Sequence, residues 1–112
     1  MSIVFKRLKS LSFVLLFALS LSSCTQMKVD KLNKKGMAFF EQKKFKKANQ
    51  VFTEILSLDK DFMPAYFNRA IANSFLSKNK SALKDLNHII KTQAYSEETI
   101  LNRAIIYENL GK

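Results

Sequence analysis

Residues 65–76 read AYFNRAIANSFL and residues 99–110 read TILNRAIIYENL, and the triplet they share decides the fold. Asn68-Arg69-Ala70 and Asn102-Arg103-Ala104 are identical, and their numbering differs by thirty-four. The same step joins three small residues, Gly36, Ala70 and Ala104. It also joins Phe39, Asn73 and Tyr107, where the middle residue breaks an aromatic pattern. Further along each unit Ala48 matches Ala82, Phe52 matches Leu86, Ile55 matches Ile89 and Leu56 matches Ile90. A fixed period of this size marks supersecondary units stacked side by side.

The phase has a physical meaning. Small residues at 36, 70 and 104 let one helix approach its partner closely, and Ala48 and Ala82 do the same from the second helix. Large residues three or four places away fill the space around those contacts. The spacing predicts helices over 31–42 and 46–58, then 65–76 and 81–91, with turns at 43–45 and 77–80. Pro64 belongs just before or in the first turn of its helix, where a missing N–H costs nothing. Glu97 and Glu98 open a fifth helix near its positive end. Gly111 closes that helix in a left-handed cap.

Composition narrows the chemistry. The 112 residues suit one small domain, and 47% apolar with 12% aromatic content excludes disorder throughout. A single Cys excludes an internal disulfide framework and a zinc cluster. Gly36 and Gly111 stand in no phosphate-cradling context. One His, His88, stands where a surface side chain is expected, and neither a Ser-His-Asp spacing nor HExxH is present. Glu97 and Glu98 are adjacent on a helix and face two directions, so they do not form an acid–base pair. The expectation is a chain with no cofactor, no metal and no catalytic role.

Outside the periodic region lies a different first quarter. Residues 1–10, MSIVFKRLKS, hold three cations and no anion, and residues 11–23, LSFVLLFALSLSS, hold no charge. Thirteen uncharged residues fall short of the roughly 20 that span a bilayer as a helix. A positive start, a short apolar stretch and small residues read as a cleavable secretory signal peptide; a buried core helix and an uncleaved anchor are the alternatives. Leu21-Ser22-Ser23-Cys24 resembles the lipobox of bacterial lipoproteins. That resemblance implies a diacylglyceryl thioether on Cys24, cleavage after Ser23 and attachment to a membrane. Thiolate chemistry is what a thioether bond asks of the residue. Residues 1–23 are then the signal peptide, 24–28 a lipidated tether and 29–112 the repeat domain. Thr25, where an Asp favours the inner membrane in the better-known sorting rule, points to the outer membrane of the cell envelope. The chain from residue 24 keeps all nine acids and sixteen of the nineteen Lys and Arg, so it remains basic at +7.

Helix pairs that recur at this period, with these small and large positions, resemble the tetratricopeptide repeat (TPR). The repeats are 29–62, 63–96 and a partial 97–112. The first carries Gly36, Phe39, Phe45, Ala48, Phe52 and Ile55 at the family's places; the second Tyr66, Ala70, Ala82, Leu86 and Ile89; the third Ile100, Ala104, Tyr107 and Gly111. Leu32, Lys35, Lys60 and Ala94 depart from the favoured Trp, Leu and closing Pro. The fold implied is an all-α helix-turn-helix solenoid of about two and a half repeats.

The family's first helices line a concave face, and the resemblance places Asn33, Met37, Phe40 and Glu41, then Phe67, Ile71, Ser74 and Phe75, then Leu101, Ile105, Glu108 and Asn109 on it. Asn68 and Asn102 match amides that hold an extended peptide backbone in some members. A carboxylate clamp is not reproduced: Asn68 fits it, but Met37, Glu98 and Asn102 stand where Asn, Lys and Arg are needed. An apolar groove flanked by amides suits an amphipathic helix or an apolar peptide. The function this implies is a membrane-anchored scaffold that holds a protein or peptide partner, with no nucleic acid involved. The run KKFKK at 43–47 supports a different reading, binding of anionic envelope lipids or glycolipids through Lys43, Lys44, Lys46 and Lys47. The last repeat stops after one helix whose Ile100, Leu101, Ile105, Ile106, Tyr107 and Leu110 exceed one packed face. Self-association, or a helix supplied by a partner, follows as an expectation.

Overall fold

The computed structural model describes residues 2–111, with side chains from Val14 onward. Lys6, Arg7 and Lys9 of the basic start and the terminal Lys112 therefore lie outside the described side chains. Five helices follow one another: α1 (Ser2–Glu41), α2 (Phe45–Leu58), α3 (Met63–Phe75), α4 (Asn79–Lys91) and α5 (Glu97–Asn109). No strand occurs among the described residues.

The two-helix period is visible as paired buried positions. Ala48, Phe52 and Ile55 of α2 are fully buried, and one period on so are Ala82, Leu86 and Ile89 of α4. The first set packs with Val29, Val51 and Ala65, the second with Ala70 and Ile106. Consecutive helices therefore share two small cores rather than one large one, as in a solenoid. Fully burying each Phe or Leu here contributes about 2 kcal/mol. Gly36 explains its own small size: a Cβ built there would lie 2.7 Å from the Phe52 ring.

The period also fixes where the first helices stop. Lys43 and Ser77 both take φ 59° and Gly111 takes φ 72°, each a full period after the last. The Lys44 amide donates to the Phe39 carbonyl at 2.9 Å and the Lys43 amide to Phe40 at 2.9 Å. Lys78 and Ser77 repeat this on Asn73 and Ser74 at 2.8 and 3.0 Å. These are Schellman closures, normally built on glycine. Gly111 is left-handed as its sequence position predicts, whereas Lys43 and Ser77 adopt that backbone without the glycine that favours it.

Helix starts differ in mechanism. Pro64 lies in the first turn of α3, as predicted. Glu97 and Glu98 open α5, as predicted, behind a capping box in which Ser96 and Thr99 satisfy each other's backbone amides.

One boundary departs from expectation. The first helix of the repeat does not begin at 31 but is the end of a 40-residue helix, so 24–28 are helical as well. No proline and no glycine before Gly36 interrupts the chain, so nothing stops a helix there. About 1.5 Å per residue makes it roughly 60 Å long, and it dominates the 70 Å long axis of the molecule. From Val14 to Lys28 every side chain is exposed; Val29 is the first buried one. Among the described residues no helix is long and apolar enough to cross a membrane.

Candidate functional site

The residues predicted to line the groove sit on α1, α3 and α5, the first helix of each repeat. On α1, Met37 and Phe40 pack half-buried against the first core. Asn33 is half-buried too, and its side-chain oxygen is buried without a hydrogen-bond partner. On α3, Phe67 packs against the second core, Asn68 and Ile71 are half-buried, and Phe75 is 63% exposed. On α5, Leu101 is 60% and Ile105 44% exposed.

The aromatic members are brought together at one end. Phe45, at the start of α2, stacks on Phe75 with ring centres 4.4 Å apart and planes 5° apart. Phe40 meets the Phe45 ring edge-on at 5.2 Å and Phe75 at 6.2 Å. Edge-on and stacked pairs of this kind contribute about 1 kcal/mol each beyond burial. Phe40 and Phe75 thus have a packing role as well as a place on the candidate surface.

The two asparagines of the repeated triplet behave differently. Asn102 turns its amide back on its own helix and donates to the Glu98 carbonyl at 2.8 Å. A ligand calling on that donor has to compete with this bond. Asn68 sits one turn before the fully buried Ala72 and is itself half-buried.

The most polar feature was not foreseen from the sequence. Arg69 grips Asp85 with two parallel bonds, Nε to Oδ2 at 2.8 Å and Nη2 to Oδ1 at 2.7 Å. Asp85 is 5% exposed. The guanidinium pKa is raised by the hydrogen bond to Asp85, which outweighs the opposing effect of burial. Arg69 also donates to Thr53 Oγ1 at 3.3 Å, and the buried Asn73 side chain accepts from Asn49. These five residues join α2, α3 and α4 through one polar cluster. It accounts for Asn73, the residue that breaks the aromatic period. A legible signal existed: a lone Asp in the apolar stripe Ala82, Leu86, Ile89 calls for a cation.

His88 departs from the surface position expected of it. It is half-buried, with its ring 4.3 Å from that of Tyr66. Tyr66 in turn anchors the preceding turn by donating to the Lys60 carbonyl at 2.9 Å. Lys43, Lys44, Lys46 and Lys47 are exposed, with Phe45 half-buried among them and Lys47 Nζ 5.7 Å above the Phe39 ring. Cys24 is a free, exposed thiol on the projecting part of α1. Among the described residues no group of His, Cys, Asp or Glu converges to hold a metal ion.

No protein-family model matches the chain. No curated protein matches it either. A solved structure does: the first TPR of Spaghetti (RPAP3) bound to HSP90 peptide SRMEEVD superposes with a TM-score of 0.68 at 23% identity. The match covers 72% of this chain and 64% of that one, so it spans somewhat less than two thirds of the neighbour's length. At this identity the likeness concerns the fold. The fold is a TPR-like helical solenoid of about two and a half repeats.

Proposed function

We propose that the chain is a lipid-anchored adaptor at the bacterial cell envelope, with the outer membrane as its site, which holds a protein partner on the face formed by its first helices. One observation carries the reading. Phe75 and Leu101 remain largely exposed and Ile105 partly exposed on that face, although the fold fully buries Phe52, Ile55, Leu86 and Ile89 on the second helices. The neighbour of the same fold was solved with a peptide bound, which supports peptide recognition as the task. An acidic C-terminal peptide like that neighbour's is not the ligand proposed here, because Met37, Glu98 and Asn102 occupy the places of the clamp residues. An apolar peptide or amphipathic helix fits the wall better. The exposed thiol of Cys24, on a helix that stands clear of the body, supports acylation there. Two acyl chains give stable attachment at about 0.8 kcal/mol per buried methylene.

The test has two arms. Cells fed labelled palmitate label the chain, and Cys24→Ala abolishes the label. Photo-crosslinking side chains placed at Phe75 and Leu101 capture a partner, whereas one at Glu54, exposed on α2, does not. Equal capture from all three positions removes the groove reading. The exposed lysines of 43–47 favour the electrostatic reading. Under that reading the chain from residue 24 without lipid binds anionic vesicles, and moderate salt abolishes the binding.

A further inference from the structure

The period that builds the fold also shows what the last helix lacks. In the first two repeats the small residue of the first helix is covered by a large one from the second: Gly36 by Phe52, and Ala70 in one core with Leu86. Ala104 holds the same place in α5 and is exposed. Beside it Ile100 and Leu101 are exposed, and with Tyr95 they line an open, mostly apolar pocket of about 500 Å³.

Charge repeats as well. Arg69 reaches back to Thr53 of the preceding second helix at 3.3 Å and forward to the Asp85 carboxylate. Arg103, its equivalent one period on, reaches back to Asn87 Oδ1 at 3.2 Å, and Asn87 is in turn the equivalent of Thr53. The backward contact is reproduced. The carboxylate is not: among the described residues the ion pair Arg69–Asp85 has no counterpart at Arg103.

We propose that the open face of α5 docks an acid-bearing amphipathic helix in the position of a second helix for this repeat. Its pattern follows from α4, where Ala82, Asp85, Leu86 and Ile89 do the same work for α3. The partner helix carries a small residue over Ala104, Asp or Glu three residues later for Arg103, and apolar residues four and seven later. Charge complementarity selects it, since a helix with a basic residue at the third step would bury two cations together. This surface adjoins the peptide-binding wall through Leu101 but is organised around Ala104 and Arg103, so it stands or falls independently of that reading.

A labelled synthetic peptide with the sequence of residues 78–93 is the probe, titrated onto the full chain with the lipid site blocked by Cys24→Ala. Binding is expected. Asn in place of the peptide's Asp weakens it about tenfold, and so does Arg103→Gln in the protein. Combining the two changes costs little more than either alone, because both remove the same pair. Ala104→Glu, on an exposed position that leaves the fold intact, abolishes binding. No binding at millimolar peptide overturns the proposal, as does weakening by the peptide change that persists undiminished in Arg103→Gln. Sedimentation adds a further arm: dimers of the chain that Ala104→Glu dissolves would place a second copy on this face and also overturn it.

Discussion

Asp85 and Arg69 show how one residue pair decides stability in a thin domain. A carboxylate this deeply buried is tolerable only while the guanidinium holds it with both bonds. Arg69→Met is expected to cost about 3 kcal/mol, a large share of the roughly 5 kcal/mol that a small domain has to lose. Arg69→Met with Asp85→Leu removes both charges, and its stability returns close to that of the native chain. Urea unfolding followed by circular dichroism measures both. The guanidinium's share of the pair does not vary over the ordinary pH range. Its pKa is raised on folding, so its contribution is complete below the unfolded arginine pKa and is withdrawn only as pH climbs through the folded one. Gly36→Ala opposes two effects, a helix-propensity gain of about 1 kcal/mol and overpacking against Phe52 of about 1–3 kcal/mol. A net loss near 1 kcal/mol is expected from these two figures, about the size of a typical point substitution, and Phe52→Leu in the same chain relieves it. Gly36 was legible from the period as a close-approach site. Asp85 was not legible from the period, because repeat counting compares like with like and Val51 stands at its place in the preceding repeat; its one mark in the sequence is its isolation in the apolar stripe of α4.

At the level of elements, the helices were readable because their apolar positions return on schedule, and α2 to α5 begin and end where the period placed them to within a residue or two. The start of α1 was not readable, because an apolar stretch and a repeat helix with no breaker between them merge without a mark in the sequence. The ends of α1 and α3 yield a prediction of opposite sign to most substitutions. Lys43 and Ser77 sit in left-handed backbone that costs a side-chain-bearing residue about 1 kcal/mol, partly offset by the unfolded-state freedom glycine brings. Lys43→Gly and Ser77→Gly should each gain about 0.5 kcal/mol, which raises the melting temperature by roughly 3 °C in a domain of this size. Thermal melts read by circular dichroism in the far ultraviolet check it. Gln93, at φ 60° after α4, belongs to the same class.

Across the whole molecule, packing is uneven. α2, α3 and α4 each have neighbours on both sides, whereas α5 packs on α4 and only touches α3. Amide hydrogens of α5 should therefore exchange faster than those of α2 to α4, by a factor that falls when the residue 78–93 peptide is present. At the other end, side chains from Val14 to Lys28 are all exposed and none joins either core. Removal of residues 1–23 is expected to leave the stability in urea unchanged to within about 0.5 kcal/mol. A marked drop would mean that the projecting segment folds back on the repeats. The first helices were legible from the period, and the candidate wall was laid on them by the family resemblance. How exposed each wall residue is was not legible, because Phe45 at the start of α2 meets Phe40 edge-on and stacks on Phe75, and its place one period on is held by Asn79, so the period does not register the contact.

The unbroken α1 carries one more implication. Cys24 and Val29 lie five positions apart on one rod, about 7.5 Å along the axis and about 500° around it. Whatever grips the sulfur thereby sets the azimuth at which the repeats are presented, as a keyed shaft sets the angle of a blade. One alanine inserted at position 27 would swing the binding faces by about 100°, while seven would restore the heading to within about 20°. Tethered activity that rises and falls with this helical phase would distinguish a stiff mount from a slack leash.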